Sequence, residues 1–546
     1  MASSSKEVSQ TVLNIGIVGA GTGGMSTAMG LQMPEFKTTA YEASDYLGGH
    51  IKSVRVDLGD GRSEVVHMGA QFIPGPDFYP QFWSYVHDLL KIELEEYELT
   101  MCLEDVRTGR KTVLPPLYHA PADDNPHNNT LDTLTCGIFQ WMRRRRPQPE
   151  TRLNLQTIFN ELGKLIEFKK IIDSSLDSHE IMTMQEFMQR TRLTHPHIFT
   201  RHFNTFKDLI IPLMAGAWGD SFQNMLQSLQ HYSMVYLGIG AQGNNKWYRI
   251  PEGLSTFINA MESFCSGTTF MRNQLISEIE PVIVDGKLKY SLYCNGKFFE
   301  NEDRTPVLHD RLVLSCPVFH GRQLLAKMLE MHGGVFDESD ELKAQRAKLQ
   351  ELVDAMNAVE YYPTTIVFHR DERFKVPEDT VVYVRWDGNH AVTTMRLGEV
   401  MKTWVYDDQP EADKPHPDSI VTVDGTPLIA HHYHPRMNMN YFQCERKLHE
   451  LQGVAGLYHA HIIAGHNDSN NSAQTAGTEV AVRLNMEAGC LERNAVLQMH
   501  AQPVIACVQK GCISSGPSTH GTHFVDIRLD EDISSSEEAV ASSSYR

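Results

Sequence analysis

A glycine cluster placed between a strand and a helix constrains this chain most. Asn14 to Val18 reads as a short apolar strand, Gly19-Ala20-Gly21-Thr22-Gly23-Gly24 as a tight turn, and Met25 to Gln32 as a helix that Pro34 stops. Thr38 to Tyr41 forms a second strand, so the segment is one βαβ unit and implies a parallel sheet. Gly19, Gly21 and Gly24 fit G-x-G-x-x-G, with Thr22 and Gly23 completing the turn. Glu42 ends the second strand, about 20 residues on, where an acid accepts ribose hydroxyls. Gly19 permits the turn, Gly21 lets backbone amides reach a pyrophosphate, and Gly24 packs helix on strand. The helix N-terminus then stabilises the anion. A glutamate at position 42 disfavours a 2′-phosphate, which sets NADP aside and leaves FAD and NAD.

The rest of the chain narrows the function class. With 546 residues, 41% of them hydrophobic, it can bury a large core as several domain-sized units. Its net charge of −19 argues against a general nucleic-acid binder, because phosphate binding needs a basic face. The basic run Arg143 to Arg146 reads as a solvated helix end rather than a nuclear or membrane-surface patch. No apolar stretch reaches the roughly 18–20 residues that span a bilayer, and MASSSKEVSQ lacks the apolar region of a signal peptide. The nine cysteines are dispersed and form no CxxC, which fits reduced thiols. Together these features predict a soluble cytoplasmic protein. They leave its oligomeric state open.

Patterns along the chain alternate. Residues 1–11 read as a flexible lead-in and 150–235 as mostly helical. Residues 270–316 read as strands broken by Asp285-Gly286 and Asn295-Gly296, both hairpin signals. Helix is expected over 322–356 and strand over 360–405. A strand at Gly456 to Ile463 leads to a helix from about Ser472, whose face Ala473, Ala476, Gly477, Val480, Ala481 and Leu484 is small near its start. The pattern weakens after Cys490, and the acidic, serine-rich segment from Asp526 to Arg546 reads as disordered.

Past the first turn, Glu42-Ala43-Ser44-Asp45-Tyr46-Leu47-Gly48-Gly49 places a glycine pair six residues beyond the acid. This resembles the E-x-x-x-x-x-G-G extension of FAD proteins in the flavin amine oxidase and phytoene desaturase superfamily. Further segments are similar in the expected order. His67 to Ile73, with Gly69, Ala70 and Gln71, resembles the stretch that passes near the flavin ring. Arg249 to Leu254 resembles the P-x-G-G-x turn, and Met271 to Ile279 the strand whose backbone meets the adenine, with Ile276 in that place. Asp310 to Pro317 resembles the strand that returns to the FAD domain. Gly456 to Tyr458 and Ser472 to Gly477 resemble the last flavin strand and its helix.

The resemblance implies an α/β fold: a Rossmann-type FAD-binding domain with a parallel sheet, interleaved with an α+β substrate-binding domain. The FAD-binding parts would be 12–95, 241–325 and 446–490. The substrate parts would be 96–240, with a helical insert, and 326–445, with 491–546 as a C-terminal extension.

It also implies differences from its relatives. His50 follows the glycine pair where arginine is common. No cysteine lies in the last flavin strand, which disfavours covalent flavin. The lysine that many amine oxidases bridge through water to the flavin is missing from Tyr362 to Phe368. The last flavin segment has two registers, through Ala460-His461 or Ala464-Gly465, so either His461 or His466 would stand beside the flavin as an acid/base or hydrogen-bond donor. Gly465 and Ala473 would flank it. His431, His432 and His434 have no flanking acid or cysteine to complete a metal-ligand set, so no metal is expected.

The expected activity is an FAD-dependent oxidoreductase that moves a hydride from a small organic substrate to flavin N5. The alternatives are an FAD-dependent double-bond isomerase acting on a polyunsaturated fatty acid without net oxidation, and a non-catalytic flavin-binding scaffold.

Overall fold

The computed structural model describes residues 12–59, 61–69, 73–76, 79–97, 99–114, 181–194, 210–232, 247–378, 380–406, 409–465 and 469–510. The first strand β1 (Leu13–Val18) runs into helix α1 (Thr22–Gly30), which begins three residues earlier than the apolar pattern suggests, and then into β2 (Phe36–Tyr41). With β3 (Thr268–Met271), β4 (Arg311–Leu314) and β5 (Leu457–His459) they form a five-stranded sheet in the order β3-β2-β1-β4-β5. Every pairing in it is parallel. Ile15, Ile17, Leu312, Val313, Leu314 and Leu457 are buried, as a parallel sheet covered on both faces requires. The sheet draws its strands from three separated stretches of chain, so a second body must be inserted between them.

Helix α2 (Val318–His332) follows β4 and packs against α3 (Asp340–Asn357) and the strand Ile276–Val284. The expected single helical run over 322–356 is broken at Ser339, whose hydroxyl caps α3 by accepting from the Leu342 N–H at 3.1 Å. The hairpin signals hold. Asp285-Gly286 and Asn295-Gly296 each carry two consecutive positive φ angles, the geometry of two-residue turns between twisted antiparallel strands.

Helix α4 (Asn470–Glu487) crosses α1 closely. A Cβ on Gly477 would lie 2.0 Å from the Gly23 carbonyl oxygen, so this crossing admits no side chain. The Thr27 hydroxyl lies 3.0 Å from both the Gly23 and Gly477 carbonyls and ties the two helices.

The inserted body is a seven-stranded sheet. In spatial order its strands are Ile429–Pro435, Tyr361–His369, Val400–Tyr406, Ala391–Leu397, Val382–Trp386, Met101–Asp105 and Arg110–Leu114. The apolar helix Ile211–Trp218 lies on one face of it. The Thr393 hydroxyl donates to the Gly216 carbonyl at 2.7 Å, and the Tyr362 hydroxyl to the Trp218 carbonyl at 2.8 Å.

The weak pattern after Cys490 hid real structure. Helices Ala495–His500 and Gln502–Lys510 bury Leu497, Val504 and Ile505 against Ala481 and Val482 of α4. Each is too short to show a long periodicity, which is why the sequence understated them. The lead-in, most of the expected helical stretch 150–235, the arginine run and the acidic tail lie outside the described residues. Among the described residues no helix is long and apolar enough to cross a membrane.

Candidate cofactor site

The glycine turn sits at the carboxyl end of β1. Gly19 has φ +96°, a conformation open to glycine, and its N–H donates to the Tyr41 carbonyl at 2.8 Å. Gly21 caps α1 with no side-chain hydrogen bond, so the first-turn amides keep their donors for an anion. Three glycines of the turn differ in what surrounds them. A Cβ on Gly24 would lie 2.1 Å from the Gly19 oxygen, and one on Gly23 would lie 2.4 Å from the Ala460 oxygen. A Cβ on Gly21 would meet nothing within 4 Å. Gly23 and Gly24 therefore serve packing, and Gly21 faces open space where a pyrophosphate can approach. Thr22 is buried at the helix start.

Glu42 stands beside this turn. One of its carboxylate oxygens accepts from the Ala20 N–H at 2.9 Å and the other from the Ser44 N–H at 2.9 Å. The side chain is buried, and each oxygen keeps a lone pair for a further donor. The glycine pair closes the same corner. Gly48 donates to the Ala20 carbonyl at 2.8 Å and forms a parallel bridge with Gly21, and a Cβ on Gly49 would stand 3.3 Å from the Gly21 Cα. Gly19, Gly21, Glu42, Gly48 and Gly49 are thus brought together. A buried carboxylate beside uncapped helix amides fits the ribose and pyrophosphate of a dinucleotide.

Ile276 stands differently from the expected strand. The parallel edge strand ends at Met271, and Ile276 opens the antiparallel strand Ile276–Val284. It is buried, and its carbonyl meets His320 Nε2 at 3.1 Å. The link back to the glycine corner runs through its neighbours: the Asn273 N–H donates to the Ser44 carbonyl at 2.9 Å and the Gln274 N–H to the Glu42 carbonyl at 2.7 Å.

At the end of the last strand, β5, Gly465 packs against the first turn of α4: a Cβ there would lie 1.9 Å from the Ser472 oxygen. Ser469 caps that helix by accepting from the Ser472 N–H at 3.1 Å. Ala473 follows in the first turn, its carbonyl 3.2 Å from where a Cβ of Gly23 would stand. The His461 imidazole is fully buried against α2, its Cε1 2.8 Å from where a Cβ of Gly321 would stand. Its Nδ1 donates to the Cys316 carbonyl at 2.5 Å, its Nε2 has no partner, and burial lowers its pKa to about 4. It is a neutral imidazole held in the core. His466, Ala70 and Gln71 lie outside the described residues.

The histidines 431, 432 and 434 do not converge. Strand alternation sends His431 to one face, where Nδ1 meets the Thr365 hydroxyl at 3.1 Å, and His432 to the other, where Nε2 donates to the Met68 carbonyl at 3.0 Å.

One residue near the glycine corner was not signalled by the sequence. Lys402, on the strand Val400–Tyr406, is fully buried and donates from Nζ to the Gly69 carbonyl at 2.6 Å. The sequence places no lysine in Tyr362 to Phe368, but the neighbouring strand pairs Lys402 with Phe368 and so carries one to the same sheet. Only cross-strand register brings it there, and no linear motif encodes that.

Residues 17–89 match the family described as NAD(P)-binding Rossmann-like domain. No curated protein sequence matches the chain. Among solved structures, an oxidoreductase from Methanosarcina mazei is similar with a TM-score of 0.50 at 11% identity, covering 86% of this chain and 99% of that one. Cyclohexylamine oxidase from Brevibacterium oxydans is similar with a TM-score of 0.49 at 11% identity, covering 87% and 100%. A CLA-producing fatty acid isomerase from P. acnes is similar with a TM-score of 0.48 at 12% identity, covering 87% and 98%. The chain is an α/β protein with a Rossmann-like dinucleotide-binding domain.

Proposed function

We propose that the protein is an FAD-dependent oxidoreductase of the flavin amine oxidase-like superfamily, which takes a hydride from a small organic substrate. The observation that carries this reading is the corner where Glu42, Gly21 and the Gly48-Gly49 pair meet. It supplies a carboxylate for ribose, uncapped amides for pyrophosphate, and backbone close enough to exclude side chains. When bound, FAD would supply the hydride acceptor at N5.

The protein's own part is to bind and orient. Glu42 and the α1 amides hold the dinucleotide, and the amino end of α4, with Ala473, presents positive dipole charge near Gly465. The segment ending at Gly69, fixed by Lys402, forms the wall toward the seven-stranded sheet. We assign the acid/base or hydrogen-bond role at the end of the last strand to His466, because His461 is engaged with Cys316 and packed on α2.

Anaerobic mixing of the purified holoprotein with candidate substrates tests the reading. Lasting bleaching of the flavin supports it. Turnover with no acceptor present indicates the isomerase instead, and a flavin that responds to nothing indicates a scaffold.

A further inference from the structure

The seven-stranded sheet has a second face, turned away from the helix Ile211–Trp218. Side chains alternate along the strand Val382–Trp386, and Val384 packs toward Gly216 of that helix, so Tyr383 and Arg385 point the other way. Register sets Arg385 opposite Glu104 and Glu104 opposite Lys111, so these three form one row on the far face. Thr393 bonds to Gly216 and stands opposite Trp404, two residues from Lys402. Lys402 and the segment ending at Gly69 therefore belong to the helix side, and the row does not.

A cleft of about 420 Å³ opens on the far face. Lys111, Arg373, Lys375 and Arg385 line it against Glu104 and Asp413, a net charge of +2 in a chain whose net charge is −19. The basic groups are not equally occupied. The guanidinium carbons of Arg373 and Arg385 lie 5.7 and 5.3 Å from the centre of the buried Phe374 ring, which seats both. Arg373 is already engaged by both Asp371 carboxylate oxygens and by the Ala412 and Lys414 carbonyls. Among the described residues the Arg385 guanidinium has no hydrogen bond or ion pair. Its cross-strand neighbour Glu104 accepts from the Tyr383 hydroxyl instead, with Lys111 Nζ 3.9 Å away. The Lys375 ammonium stands 3.6 Å from an exposed Glu372, a contact that water screens.

We infer that this cleft is a second binding site, separate from the cofactor corner, for a phosphorylated sugar or polyol. A phosphomonoester carries close to two negative charges at neutral pH, which matches the net charge of the lining, and its oxygens suit the planar donors of Arg385. The volume falls within the roughly 300–1,000 Å³ of sites that take organic ligands, so more than the bare ion is accommodated. Among the described residues only Val106 and Ala412 give it aliphatic lining, so the body that carries the phosphate is polar.

Calorimetric titration of the purified protein with glucose 6-phosphate, ribose 5-phosphate and glycerol 3-phosphate, each beside its unphosphorylated parent, tests this. At least one ester should bind, and its parent should bind at least about tenfold more weakly. Arg385→Gln should weaken that ester about tenfold or more. Lys375→Gln, at an exposed side chain, should weaken it about threefold and serves as the second variant if Arg385→Gln does not fold. Four results would overturn the inference: no ester binds, inorganic phosphate binds as tightly as the best ester, the affinity survives both substitutions, or vesicles containing phosphatidic acid bind where no soluble ester does.

Discussion

At the scale of single residues, Glu42 does two things at once. Its carboxylate accepts from the Ala20 and Ser44 amides, and in the proposed reading its remaining lone pairs would accept ribose hydroxyls. Glu42→Ala should therefore weaken FAD binding by about 1.5–3 kcal/mol, roughly tenfold to a hundredfold. FAD affinity of the refolded apoprotein measures this, and an unchanged affinity would move the ribose contact to another residue. Glu42 was legible because acid, turn and glycine pair lie within one short segment. Lys402 was not, because its nearness to Gly69 depends on strand register and on how the segment ending at Gly69 lies against the sheet. His461 shows the opposite failure. Its position near the glycine cluster was readable, but the direction of its ring depends on the absence of a side chain at Gly321 on a distant helix.

At the scale of elements, the crossing of α1 and α4 fixes the cofactor corner, because Gly23 belongs both to the turn and to the helix contact. Gly477→Ala should destabilise the protein by at least 1–3 kcal/mol, about the cost of an overpacked core, since the obstructing atom is a backbone carbonyl that cannot rotate aside. The midpoint of urea unfolding would show it, and flavin content should fall in parallel. A variant as stable as the parent would mean that the helices can separate without cost. The small face of α4 was visible in the sequence as Ala473, Ala476 and Gly477. Its partner was not, since Gly23 and Gly477 are brought together only by the completed parallel sheet.

At the scale of the whole molecule, neutral buried imidazoles set the response to acid. Burial lowers the pKa of His67, His309, His369 and His461 to about 4 and of His432 to about 3, and holds His459 well below the usual value. In the unfolded chain each would titrate near 6.5. The unfolded state thus binds more protons between these values. Stability is complete above about pH 6.5 and is lost as pH falls toward 4, by as much as on the order of 3 kcal/mol per histidine. Urea midpoints recorded across that range should fall steeply, and a flat profile would show that these rings are hydrated or paired in solution. The interleaved architecture was legible from the order of the segments. The helices beyond Cys490 were not, because they gain stability from α4 rather than from their own pattern.

In the proposed reading the glycine corner holds FAD without a covalent bond. Acid precipitation of the purified protein, followed by chromatographic identification of what is released, tests it most directly. The supernatant should be yellow, with a chromophore that co-migrates with FAD, over a colourless pellet. A colourless supernatant, a released nicotinamide dinucleotide, or flavin kept in the pellet would contradict it.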